Sequence, residues 1–321
     1  MTRCLALLLA LFCASAEATR VGLVADLNGR YGSTTYHERV DRAVETLISA
    51  HVDAVVCAGD MVAGQSQPRL DADWLDSMWA GFTAAVHEPL SRADIPFLVT
   101  AGNHDGSGLP AFGLERERFE VQWQSRRPAL EFLPGSEWPR RYAVMMDGVL
   151  FLTFDGTVPG KLPPAETRFI ERMLTAHSAA ASATVVFSHL PMWPFTRGRE
   201  DDILDDSNLL SMLHRGGVDV YVSGHHHAFY AGTDIAGMVH VSVGALGGNM
   251  RPLVGAGKKQ PHGYAVLEIS DQGIEVQSRV ARSFSSPVPA SDLPERLSGP
   301  LGSLDRLDGA VPLRPVSGVL R

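Results

Sequence analysis

Cysteine is scarce in this chain. It has three among 321 residues, and Cys4 and Cys13 sit in the N-terminal segment, which leaves Cys57. One thiol closes no internal disulfide and builds no thiolate-ligated zinc site. Cys57 lies in the apolar stretch 53–60, where it reads as a small buried hydrophobe and not as a nucleophile. An excess of basic charge is also missing. The formal net charge is -8, which argues against a nucleic-acid partner held through phosphate contacts. An acidic chain can still take a small phosphorylated molecule where metal ions supply the local positive charge. The N-terminal apolar run, residues 5–12, is too short to cross a bilayer, so no transmembrane segment is expected in the mature chain. There is neither a P-loop nor a Gly-x-Ser-x-Gly elbow.

What is present begins with a targeting signal. Arg3, the apolar residues 5–12 and the small-x-small triplet Ala16-Glu17-Ala18 fit a signal peptide over 1–18, so a secreted or periplasmic protein is expected. The remainder, with 45% hydrophobic and 20% charged residues, has the composition of a folded domain.

Apolar runs of strand length recur at 21–26, 54–59, 96–101, 142–146, 149–154, 184–188, 218–223, 239–243, 264–269 and 274–280. Asp147-Gly148 reads as the turn of a hairpin. Helical patterns lie between the runs. Residues 37–50 place Val40, Val44, Leu47 and Ile48 on one face. Further helices are expected at 71–93, at 164–182, which opens on proline, and at 205–216, which stops at Gly216-Gly217. The alternation indicates an α/β domain over 19–282, with a partly mixed second sheet where strands crowd together. Residues 283–321 are rich in Pro, Gly and Ser without a period, and are expected to form a loosely ordered tail.

The ends of the strands carry the chemistry. The runs are followed by Asp26-Leu27-Asn28, Gly59-Asp60, Gly102-Asn103-His104-Asp105, Ser188-His189-Leu190-Pro191 and Gly224-His225-His226-His227. Each piece alone has an ordinary reading as a cap, turn or surface histidine. In open α/β sheets, however, ligands bind beyond the carboxyl ends of the strands, so these groups converge on one rim. Carboxylate, amide carbonyl and imidazole suit first-row divalent ions and iron. Asp60 is the best bridge between two ions. His225 and His227, two apart on extended chain, point to the same side.

The ordered series Asp-x-Asn, Gly-Asp, Gly-Asn-His-Asp, His-x-Pro and Gly-His-x-His resembles the calcineurin-like metallophosphoesterase superfamily, over roughly 21–280. The resemblance implies a four-layer αββα sandwich with two mixed β-sheets and the metal site at the carboxyl ends of the strands. It implies two divalent or trivalent metal ions (Mn, Fe, Zn or Mg). One would be held by Asp26, Asp60 and His227, the other by Asp60, Asn103, His189 and His225. It implies hydrolysis of phosphomonoesters or phosphodiesters by a hydroxide bridging the ions, with a small phosphorylated substrate. His104 would be the histidine beside the substrate, and Asn103 would also face it. The carboxylate that orients His104 is left open between Asp60 and Asp105.

The chain departs from the usual Asp-x-His at Asn28. An amide carbonyl there is a harder and weaker ligand than imidazole, so the first ion is expected to be held less tightly or to be a harder ion. Purple acid phosphatases use a tyrosine after the Gly-Asp motif, where this chain has Met61-Val62-Ala63. Tyr31 and Tyr36 are nearby alternatives. Around the rim, Arg197 and Arg199 are candidates for gripping a second phosphate, and Trp193 and Phe195 for stacking on a base or sugar. A plain surface loop is the equal alternative. The glycine-rich stretch 244–248 reads either as a turn or as a backbone approach to substrate. A non-catalytic binding protein on the same scaffold is the competing function.

Overall fold

The computed structural model describes residues 18–313, so the expected signal segment lies outside the described residues except for Ala18. The strands are β1 (Thr19–Val24), β2 (Ala54–Cys57), β3 (Phe97–Val99), β4 (Glu131–Phe132), β5 (Tyr142–Met146), β6 (Val149–Thr153), β7 (Ala183–Phe187), β8 (Val220–Ser223), β9 (Tyr230–Thr233), β10 (Val239–Ser242), β11 (Gly263–Ser270), β12 (Gly273–Val280), β13 (Arg296–Gly299) and β14 (Gly302–Arg306). The helices are α1 (Glu38–Ser49), α2 (Ala72–Phe82), α3 (Glu88–Arg92), α4 (Gly113–Gln124), α5 (Pro164–His177) and α6 (Ser207–Arg215).

One sheet has the order β12-β11-β1-β2-β3, the other β13-β14-β9-β10-β8-β7-β6-β5-β4. Both are mixed. β1, β2 and β3 run parallel while β11 and β12 are antiparallel. β6, β7, β8 and β10 run parallel, and β5 and β9 pair with them antiparallel.

The central strands bury both faces, which explains their unbroken apolar runs. In β1, Val21 and Leu23 point between the sheets while Val24 faces the helices. In β7, Val185 and Phe187 point between the sheets and Val186 points outward to α5 and α6. Val40, Val44 and Leu47 of α1, Trp79 and Phe82 of α2, and Phe119 and Trp123 of α4 cover the first sheet. Phe169, Ile170 and Met173 of α5 and Leu209 and Leu213 of α6 cover the second. The layers are therefore αββα. Each such fully buried side chain contributes about 2 kcal/mol. No described helix is long and apolar enough to cross a membrane.

Local signals set the helix starts. Asp71 accepts the Trp74 amide at 2.9 Å ahead of α2, and Asp206 accepts the amides of Asn208 and Leu209 ahead of α6. The helix expected at 71–93 is α2 and α3 joined by a wider turn at Thr83–His87. The α4 helix was not expected, because in its charged sequence only Glu115, Phe119 and Trp123 are buried.

The expected loose tail needs correction. Phe284, Val288, Leu297 and Leu304 are buried, and β13 and β14 form a hairpin that extends the second sheet from β9. Val311 pairs with Ile274. Scattered apolar residues in a Pro- and Gly-rich stretch here close the open edge of a sheet, a role that has no local period.

Candidate metal centre

Asp26, Asp60 and Asn103 follow β1, β2 and β3 of the first sheet, and His189, His225 and His227 follow β7 and β8 of the second. The cluster therefore sits on the seam between the sheets. Backbone hydrogen bonds lock the strand ends together: Asp26 N to Gly59 O at 3.0 Å, Asn28 N to Asp60 O at 3.2 Å, and Gly224 N to His189 O at 3.0 Å.

Four of these residues have left-handed backbones: Asp26 (φ 52°), Asp60 (φ 56°), His225 (φ 65°) and His227 (φ 55°). This conformation costs a non-glycine residue roughly 1 kcal/mol and collects at functional sites. It turns the chain sharply as each strand ends and brings the side chains back over the rim. Close approach is also built in at Gly102, where a Cβ would overlap the Asp60 amide nitrogen and Oδ1.

The imidazoles are oriented from outside. His189 Nδ1 donates to Ala58 O at 2.8 Å, which leaves Nε2 facing Asn103 Oδ1 (2.9 Å), His225 Nδ1 (3.2 Å) and Asp60 Oδ2 (3.5 Å). His227 Nδ1 donates to Asn249 O at 2.9 Å, which leaves Nε2 3.1 Å from Asp26 Oδ1. Such outer partners are typical of metal-ligating histidines.

Asp26 Oδ1 and Asp60 Oδ2 are buried and take no hydrogen bond, while Asp26 Oδ2 accepts the His225 amide at 3.0 Å. Two buried carboxylates thus meet imidazole nitrogens in a space closed to water, where a proton or a metal cation must balance them. Asp60, His189 and His225 each place a donor atom within 4.8 Å of the others, as one ion requires. The charges agree. Burial opposes ionisation of Asp26, yet His227 holds its carboxyl below the usual range. Burial alone would lower His189, but Asp60 raises it to about 9. Burial, together with the charge of His189, drops neighbouring His225 to about 4. The pocket gathers positive charge and its donor set fits metal ions.

His104 stands at the rim with its side chain 18% exposed. Its amide donates to Asp60 Oδ1 at 2.8 Å, and its Nε2 lies 3.8 Å from Asp60 Oδ2. Asp105 is committed elsewhere, accepting Gly102 N and Met61 N at 2.6 Å each. Asp60 is therefore the carboxylate beside the His104 ring. Tyr31 packs on that ring at 5.2 Å and is mostly exposed, and Tyr36 donates to Met61 O. Asn28 is buried beside the cluster.

At the rim the structure separates the candidates. Arg197 is exposed and tied by its amide to Pro252 O, and Arg199 is clamped to Asp202 at 2.5 Å. Trp193 and Phe195 are buried, the first against His240 and the second against Tyr230, so neither is a stacking surface. The 244–248 turn backs the site: Gly247 N donates to Asp26 O at 2.8 Å, and a Cβ on Gly248 would overlap the His227 ring. Two residues near the cluster carry no motif. Asp202 Oδ2 lies 3.7 Å from His225 Nε2, and Arg251 Nη1 donates to His225 O at 2.8 Å.

Two mixed sheets between helices, with a carboxylate–imidazole cluster across their seam, define the architecture of a metallophosphoesterase. Residues 19–229 match the family model described as calcineurin-like phosphoesterase, and the chain belongs to that family. It is 26% identical over 202 residues to a serine/threonine-protein phosphatase CPPED1 of Bos taurus, across 57% of this chain and 60% of the length of that relative. In structure it resembles purple acid phosphatase PPD1 from yellow lupin seeds, with TM-score 0.65, 16% identity, and coverage of 85% of this chain and 53% of the other. It also resembles a dimetal phosphatase from Danio rerio, with TM-score 0.56, 16% identity, and coverage of 81% and 96%.

Proposed function

We propose that the protein is a metal-dependent hydrolase of phosphomonoesters or phosphodiesters. The observation that carries this is the pair of buried carboxylate oxygens, Asp26 Oδ1 and Asp60 Oδ2, set 3.1 Å from His227 Nε2 and 3.5 Å from His189 Nε2 at the seam. In this reading Asp26, Asp60 and His227 hold one ion, and Asp60, Asn103, His189 and His225 the other. When bound, the ions supply Lewis acidity toward the phosphoryl oxygens and a hydroxide at neutral pH. The protein supplies the rest. Ala58 O and Asn249 O fix the histidine tautomers. Asp60, buried between His189 and His104, joins the two halves of the site. His104 donates a ring N–H to the substrate and hands its proton to the leaving oxygen.

The direct test is to load the purified protein with Mn, Fe, Zn or Mg and assay a panel of aryl mono- and diesters. No hydrolysis with any of these ions would favour the non-catalytic reading. Within an active enzyme, His104→Ala should lower kcat by about 10²- to 10³-fold. Metal content by plasma emission should stay constant, and loss of metal along with turnover would place His104 among the ligands instead.

Asn28→His tests the departure at the first position. It should tighten retention of the weaker ion about tenfold against a chelator titration. An unchanged metal identity and affinity would remove Asn28 from the site. The N-terminal features Arg3, residues 5–12 and Ala16-Glu17-Ala18 support an exported setting as part of this proposal.

A further inference from the structure

Arg251 was marked by no motif. Its amide donates to His227 O at 3.3 Å and its Nη1 to His225 O at 2.8 Å. Residues 195–197 pair with 252–254: Thr196 bridges Leu253, Arg197 N donates to Pro252 O at 3.1 Å, and Val254 N donates to Phe195 O at 2.9 Å. That pairing sets Arg251 beside the loop that carries Arg199. Along this flank the groups run Arg199, Asp202, His225, Arg251, with Arg199 Nη1 at 2.5 Å from Asp202 Oδ2, and that oxygen at 3.7 Å from His225 Nε2.

Asp202 compensates Arg199. Arg251 is half-buried, and its side chain makes one hydrogen bond, to a neutral carbonyl, with no carboxylate in ion-pair range among the described residues. A half-buried guanidinium without a direct ion-pair partner is costly. Burial and the nearby Arg199 push its ionisation below the ordinary guanidinium value, Asp26, Asp202 and Asp60 favour its charge from beyond ion-pair range, and arginine remains a cation. No carboxylate takes up the charge of Arg251 at ion-pair distance among the described residues, and its side chain keeps N–H groups that His225 O does not use. Its remaining N–H groups form the planar fork that recognises phosphate.

We propose that Arg251, flanked by Arg199, forms an anion subsite on the His225 side of the metal centre and binds a second phosphoryl group of the substrate. This rests on the phosphoesterase reading and narrows it to esters that carry a diphosphate or two phosphates.

The test is titration calorimetry of the metal-loaded protein with orthophosphate and with methylenediphosphonate, with metal content measured afterwards to exclude stripping. Wild type should bind the diphosphonate at least about tenfold more tightly than orthophosphate. Arg251→Gln should abolish that preference and leave orthophosphate affinity within about twofold. Arg251→Lys keeps the charge but loses the fork, and should weaken the diphosphonate at least about threefold with orthophosphate unchanged. It carries the test if Arg251→Gln does not fold. Equal affinities in wild type, equal loss of both anions in Arg251→Gln, or an unaltered diphosphonate affinity in Arg251→Lys would overturn the subsite. Ester hydrolysis without a diphosphonate preference sinks the subsite alone. Absence of both anion binding and hydrolysis sinks the phosphoesterase reading itself.

Discussion

Asp60→Asn is expected to lower kcat/KM by at least about 10³-fold, equivalent to roughly 4 kcal/mol of transition-state stabilisation. The substitution keeps the shape of the side chain and removes its charge. The amide oxygen can still accept the His104 N–H that Asp60 Oδ1 takes at 2.8 Å. Asparagine also tolerates the left-handed backbone at φ 56°. The fold should therefore survive, and the near-ultraviolet circular dichroism should match wild type. What is lost is the buried anion 3.5 Å from His189 Nε2 and 3.8 Å from His104 Nε2. A neutral amide in place of a shared carboxylate should leave the protein short of metal by plasma emission. Wild-type turnover with a full metal complement would show that Asp60 is not the shared ligand.

Gly102→Ala should be costly in another way. A methyl at Gly102 would run into the Asp60 amide nitrogen and Oδ1, which are backbone and a pinned side chain and not a flexible end. The ends of β2 and β3 would have to part. Overpacking of this kind costs about 3 kcal/mol, or roughly 6 to 10 °C in Tm for a domain of this size. Hydrolysis should fall with it, because Asp60 moves. Gly113→Ala is the control: a Cβ there meets nothing within 4 Å, at the start of α4. Urea denaturation should show a lowered midpoint for Gly102→Ala and none for Gly113→Ala. Matching midpoints would mean that the strand ends are not packed to contact.

The strand-end groups were legible because each motif is short and follows an apolar run, so Asp26, Asp60, Asn103, His189, His225 and His227 were identifiable before their distances were known. The layers were legible for the same reason: β1 and β7 bury both faces and leave unbroken apolar runs. Other features depend on partners distant in sequence. Arg251 matters through the carbonyl of His225, and Asp202 through Arg199 and the His225 ring. Neither relation has a spacing to read. Trp193 and Phe195 misled because nearness to a motif says nothing about which way a side chain points. Both turn into the layer beneath α5 and α6. The left-handed strand-end residues were equally hidden, since glycine is the residue that most plainly announces that conformation in a sequence. The hairpin of β13 and β14 was obscured by a composition typical of tails.

The seam between the sheets has a consequence for cooperativity. Asp60 arrives from one sheet, His189 and His225 from the other, so an ion held by all three is a clasp across the middle of the molecule. Such an ion binds only the docked pair. By mass action its binding free energy adds to the cohesion of the sandwich, and loosening of the sandwich weakens its hold on the ion. Residues such as Phe151 and Leu267, deep in the layer between the sheets, would then help to set the affinity for such an ion without touching it.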